Sequence, residues 1–171
     1  MIILISGSTH TGKTVLSQRL IEKYHYPSMS LDHLKMGLIR SGRTDLTPED
    51  DDKFTDLLWP IVKEMIKTAI ENGQNMIIEG CYFPYEWKTY FEVEYLKHIR
   101  FVCLIMSSKY IEEHFEDIKK YANVIENRGD DSDCDKGLLI RDNQICFDMC
   151  KKYNCDYILI EDEYKFDLKI E

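Results

Sequence analysis

Gly7-Ser8-Thr9-His10-Thr11-Gly12-Lys13-Thr14 sets two glycines, a lysine and a hydroxyl at the spacing G-x-x-x-x-G-K-[ST]. Each residue type has a task in holding a polyphosphate. The glycines let the main chain wrap closely, so that its N–H groups and the end of the next helix point at negative charge. Lys13 reaches the β- and γ-phosphates, and the Thr14 hydroxyl ligates Mg²⁺. The loop works only between a strand and a helix, and the flanks supply both. Met1 to Ser6 (MIILIS) is an apolar, β-branched run that reads as a buried parallel strand. Val15 to Tyr24 places Val15, Leu16, Leu20 and Ile21 on one helical face. The expectation is a site for a nucleoside triphosphate.

Glu79 ends the strand-like run M-I-I-E, where an acid can hold Mg²⁺ through water, though a strand-terminal acid in a turn has the same signature. Asp32 follows a second short strand. Ligands of open α/β sheets bind beyond the carboxyl ends of strands, so Asp32 is expected to face the same crevice and take the proton of an attacking hydroxyl. It equally suits the N-cap of the next helix. Lys35, Arg40 and Arg43 are cations placed near an anionic acceptor, or are surface charge. Arg128 lies in a polar loop. Arg141 falls on a stripe with Leu138 and Ile145 that is expected to face inward, and both arginines are expected to stabilise a transferring phosphoryl group. His33 is expected to project into solvent. Tyr82, Phe83, Tyr85 and Trp87 line an acceptor pocket or pack beneath a loop.

These residues need a frame, and strand-like runs alternating with helical patterns describe a parallel α/β sheet. The runs are Met1 to Ser6, Pro27 to Leu31, Asn75 to Gly80, Arg100 to Met106 and Tyr157 to Ile160. Between them, Leu31 to Ile39 reads as a helix. Thr47-Pro48-Glu49-Asp50 carries a capping-box spacing that starts a long helix through Phe54, Leu57, Leu58, Ile61, Met65 and Ile66 to Asn72-Gly73. Ser107-Ser108 cap a helix to about Ile125, 128–133 is an exposed loop, and Gly137 to Lys152 is the last helix.

The chain has 171 residues, enough for one domain with a well-buried core. A strand from residue 2 leaves no signal peptide to expect, and no apolar run is long enough to cross a membrane. Six cysteines without a C-x-x-C pair are expected to be reduced core thiols of a cytoplasmic protein, with a zinc site using Cys146 and Cys150 as the minor alternative. The net charge of −9 disfavours nucleic acid as a partner and favours a small-molecule acceptor.

With these pieces placed, the chain resembles the small P-loop kinases of the nucleoside-monophosphate-kinase-like group along essentially its whole length. Residues 7–14 match their phosphate loop. Arg128-Gly-Asp-Asp followed by Arg141 is similar to the lid of adenylate kinases, and residues 107–135 would form that lid. Ser30-Leu31-Asp32-His33-Leu34-Lys35 resembles the segment holding the acceptor-orienting aspartate in chloramphenicol phosphotransferase and zeta-toxin-like kinases. The resemblance implies a five-stranded parallel sheet of order 2-3-1-4-5, Mg·ATP as donor and Asp32 as base. A fuller AMP-binding segment and a longer, arginine-rich lid are missing. The reading is therefore an ATP-dependent phosphotransferase acting on a hydroxyl or phosphate acceptor. The alternatives are a nucleoside or nucleotide kinase, a nucleotide-dependent switch that hydrolyses slowly, and a nucleic-acid 5′-end kinase, which the charge disfavours.

Overall fold

The middle strand, β1 (Ile2–Gly7), anchors a five-stranded parallel sheet in a computed structural model that describes residues 1–121, 134–164 and 168. The order is β2-β3-β1-β4-β5, with β2 Ser28–Ser30, β3 Met76–Glu79, β4 Ile99–Met106 and β5 Tyr157–Ile160. This is the order that the resemblance implies, and the expected strand positions hold to within a residue or so.

Parallel neighbours need crossover connections, and these cover both sheet faces with helices. The side chains of β1 show the consequence with a period of two. Ile2 and Leu4 join a core with Phe54, Leu58, Val62 and Ile66 of α3 (Phe54–Glu71). Ile3 and Ile5 point the other way, into a core with Leu16 and Leu20 of α1 (Lys13–Tyr24). All four isoleucine and leucine side chains of Ile2–Ile5 are fully buried, each stabilising the fold by about 1.5–3 kcal/mol. Helix α2 is Leu31–Arg40, α4 the single turn Val93–Leu96, α5 Ser108–Tyr121 and α6 Lys136–Tyr153. The Ser107 hydroxyl accepts the Tyr110 N–H at 3.0 Å, which caps α5 as expected.

Helix α3 begins later than the capping-box spacing indicates. Asp50 does reach back, accepting the N–H and the hydroxyl of Thr47 at 3.0 Å each. A turn and the 3₁₀ segment Asp51–Lys53 then precede Phe54. The reason lies across the chain: the Pro48 carbonyl, which a continuing helix would use, accepts from the Lys35 ammonium at 3.2 Å. Ile61, expected on the inner face of α3, is 40 % exposed, while Trp59 takes an inward position. Its ring meets Phe83, Tyr90 and Phe91 edge-on, and Trp87 stacks on Phe101 at 5.7 Å.

Cys103, Cys146, Cys150 and Cys155 are buried in the α3-side core. Among the described residues no cluster of three or more His, Cys, Asp or Glu could hold a metal ion, so the thiols act as small core side chains and the zinc alternative falls. No helix of the described residues is long and apolar enough to cross a membrane.

Neighbouring turns of α3 offer a direct check on its orientation. Ile66→Ala should cost about 2–5 kcal/mol in urea unfolding, since Ile66 is fully buried. Ile61→Ala should cost about 1 kcal/mol or less. Equal losses at the two positions would contradict the packing described.

Candidate active site

Strand register gathers the ends that matter. Glu79 pairs with Ile5 on one side and Ser30 on the other, and Gly7 pairs with Leu104. The carboxyl ends of β1, β2 and β3 therefore finish at one edge of the sheet, where open α/β sheets bind ligands.

The loop leaving β1 is built around two glycines. Gly7 has φ 142°, and a Cβ there would stand 2.5 Å from the Leu104 carbonyl oxygen. Gly12 has φ 78°, and a Cβ there would run into the Tyr164 hydroxyl. Both positions exclude a side chain for want of space as well as for backbone conformation. Between them the Ser8 carbonyl accepts two bonds, from the Thr11 hydroxyl and from the Lys13 ammonium, each at 2.8 Å. Lys13 is only 6 % exposed. Tyr164, beyond β5, donates to the Thr11 carbonyl at 2.9 Å, and burial pushes its phenol pKa up to about 12. His10 adopts φ 63°, and its Nδ1 lies 2.9 Å from the Thr9 hydroxyl on the exposed side.

The loop opens onto a cleft of about 740 Å³ whose walls include Lys13, Thr14, Asp32 and Glu79. Four side chains from three separate strand ends thus share one cavity. Glu79 is 2 % exposed. Asp32 is the second residue of α2; the cap position belongs to Ser30, whose side chain makes no capping bond. The N-cap alternative for Asp32 is thereby corrected: its carboxylate stands in the first turn, where the helix dipole favours negative charge, and borders the cleft. His33 is exposed, as expected, yet it too lines the cleft rather than turning away.

The cations divide differently from expectation. Lys35 is 7 % exposed and donates to Asp51 Oδ1 at 2.6 Å, the Tyr82 hydroxyl at 3.1 Å and the Pro48 carbonyl. Arg40 and Arg43 are exposed and are not among the residues of the cleft wall. Arg141 does not face inward. Leu138 and Ile145 are 49 % and 51 % exposed, and the buried stripe of α6 is instead Leu139, Asn143, Cys146 and Cys150. Asn143 explains the rotation: its side-chain N–H donates to the Leu139 carbonyl and its Oδ1 accepts the Met106 N–H, both at 2.8 Å, so a polar residue holds the inward position. Arg128 lies outside the described residues. Of the aromatics after β3, Tyr82 lines the cleft while Phe83 and Trp87 are core.

Asp51 and Tyr164 are the two residues at the site that sequence reading passed over. Tyr164 carries no local signal, because its partner is 153 residues away. Asp51 sits in an acidic run that reads as a solvated helix start.

Neither a protein-family model nor a curated protein matches this sequence. Solved structures with a similar shape include a provisionally assigned kinase from Chloroflexus aurantiacus, 18% identical with a TM-score of 0.54, covering 95% of this chain and 88% of that one. A chain of the Pnkp1/Rnl/Hen1 RNA repair complex is 14% identical with a TM-score of 0.51, covering 86% of this chain and 45% of that one. A sugar kinase from Janibacter is 14% identical with a TM-score of 0.49, over 94% and 84%. The likeness is one of fold: an α/β P-loop sheet of order 2-3-1-4-5, as in the small P-loop kinases.

The wedge of Tyr164 against Gly12 makes a double-mutant test. Gly12→Ala should destabilise by about 1–3 kcal/mol through strain and clash together. Adding Tyr164→Ala removes the clash, so in urea unfolding the second change should cost less in the Gly12→Ala background than in the native chain. Strict additivity would show that the two side chains do not meet.

Proposed function

We propose that the protein is a kinase that transfers the γ-phosphoryl group of Mg·ATP to a hydroxyl of a small molecule. The observation that carries this is the shared cleft: Lys13 of the phosphate loop and Asp32 of α2 border one cavity.

The loop fits a polyphosphate on its own geometry. Lys13 is buried with a single hydrogen bond, to Ser8, among the described residues. An ammonium has three donors, and a nearly buried cation that lacks a carboxylate is stabilised by an anionic ligand. Gly7 and Gly12 add no side chain of their own, which lets the main chain wrap closely. Thr14 and Glu79 bring oxygen donors to the same cleft, the set that suits a divalent ion held jointly by protein and phosphate. Mg²⁺ bound there would neutralise charge on the phosphate oxygens.

The remaining work falls to the chain's own residues. Lys13 and the loop amides bind and hold the donor in place. Asp32 orients the acceptor hydroxyl and accepts its proton as that oxygen bonds to the γ-phosphorus and the bond to the β,γ-bridging oxygen breaks, leaving ADP. Positioning and charge neutralisation supply most of the rate in such a transfer.

Lys13→Ala should abolish measurable Mg·ATP binding in calorimetry and all ADP production. Asp32→Asn should lower kcat by roughly 10²–10⁴-fold while the ATP dissociation constant stays within about threefold. Full activity of Asp32→Asn toward an identified acceptor would remove the base from the mechanism.

A further inference from the structure

The wall of the cleft opposite the phosphate loop has a charge pattern that bears on the acceptor. Resting on the kinase reading above, we infer that the acceptor is a neutral or cationic hydroxyl compound, such as a sugar, amino sugar or nucleoside, and that Asp51 selects it by accepting a hydrogen bond. Phosphate monoesters and carboxylates are excluded.

The first observation is the lining itself. Asp32 and Asp51 border the cleft beside Glu79, which the kinase reading gives to Mg²⁺, while Lys13, which belongs to the donor's loop, is the one lysine or arginine among the described residues that do so. A second anion placed there meets carboxylates within a partly enclosed cavity, where like-charge contact is costly.

The second observation concerns the nearest other cation. Lys35 stands behind this wall, and it is spent. Its three protons go to Asp51 Oδ1, the Tyr82 hydroxyl and the Pro48 carbonyl, which is the full donor capacity of an ammonium. Its charge is further shielded by the ring of Phe54 at 4.8 Å. None of its donors is left for a phosphate or carboxylate.

The third observation is what this arrangement does to Asp51. The Tyr82 hydroxyl donates to Asp51 Oδ1 at 2.5 Å, and Lys35 donates to the same oxygen. Burial, the largest cause, raises the Tyr82 phenol far above its usual range, so it stays a donor. Both bonds land on one oxygen. Among the described residues nothing donates to Oδ2, and the Asp51 side chain keeps 58% of its area exposed. A carboxylate fixed at one oxygen and open at the other is a preorganised acceptor for an O–H or N–H of a ligand. Ser30 also borders the cleft: it is 8% exposed, and among the described residues its buried hydroxyl has no hydrogen-bond partner. Because a site built to hydrogen-bond a hydroxyl strongly rejects analogues lacking it, Asp51 acts on specificity.

The test uses the full chain with Mg·ATP. ADP release is measured with glucose, glucosamine, kanamycin, adenosine and cytidine, and with glucosamine 6-phosphate, AMP, CMP, shikimate and glycerate. Mg·ATP binding is measured separately by calorimetry. The expected result is turnover confined to members of the first group. For the best of them, Asp51→Asn should raise acceptor KM by tenfold or more with kcat and the KM for ATP within about threefold. Tyr82→Phe, which leaves the carboxylate in place, should give a smaller rise of the same kind. Preferred turnover of a phosphate- or carboxylate-bearing acceptor overturns the inference and leaves the kinase reading standing. So does a failure to turn over any neutral or cationic compound while Mg·ATP binds, and so does an unchanged acceptor KM in both variants. Absence of Mg·ATP binding instead overturns the kinase reading itself.

Discussion

A lysine ammonium enclosed by its own main chain governs this site. Lys13 is nearly buried, and its described hydrogen bond is to a carbonyl oxygen from the turn it follows. A full charge in such a place is tolerable only because the loop is wound tightly enough to present a polar backbone to it. The winding in turn depends on Gly7 being able to pass within van der Waals contact of β4, and on the left-handed turn at Gly12. Sheet register, loop path and electrostatics are thus one constraint, and the cleft forms where they meet.

The opposite wall obeys a related rule with the opposite result. Lys35 is also buried, but it is neutralised and fully bonded by Asp51, Tyr82 and Pro48. One buried lysine is left receptive to anions, and the other is converted into a support for a carboxylate. The same residue type, bonded once in one place and three times in the other, gives the cavity two kinds of lining.

The frame and the loop were legible in the sequence because each rests on a local pattern. The alternation of MIILIS with an amphipathic segment identifies β1 and α1, and the glycine–lysine spacing needs only eight consecutive residues. Helix faces were less secure. The apolar Leu138 and Ile145 put Arg141 on an inward stripe by spacing alone, whereas Asn143, a polar residue, takes the inward position by satisfying the Met106 amide. Hydrophobic spacing cannot register a buried asparagine whose oxygen is claimed by the amide of a distant strand. The later start of α3 has the same origin, since the Pro48 carbonyl is claimed by a lysine from another helix. Asp32 could be placed near the crevice from its position after a strand, but Asp51, which borders the same cleft, lies nineteen positions on in a run of acids. Only the fold distinguishes it from its neighbours.

The contact of Tyr164 with Thr11 and Gly12 ties a segment that follows the last strand to the first turn of the chain. A ribosome-bound intermediate holding only the early strand and helix would contain the whole glycine motif but lack this clasp. The loop would reach its final shape only once β5 had docked at the sheet edge, although its own residues precede that strand by most of the chain.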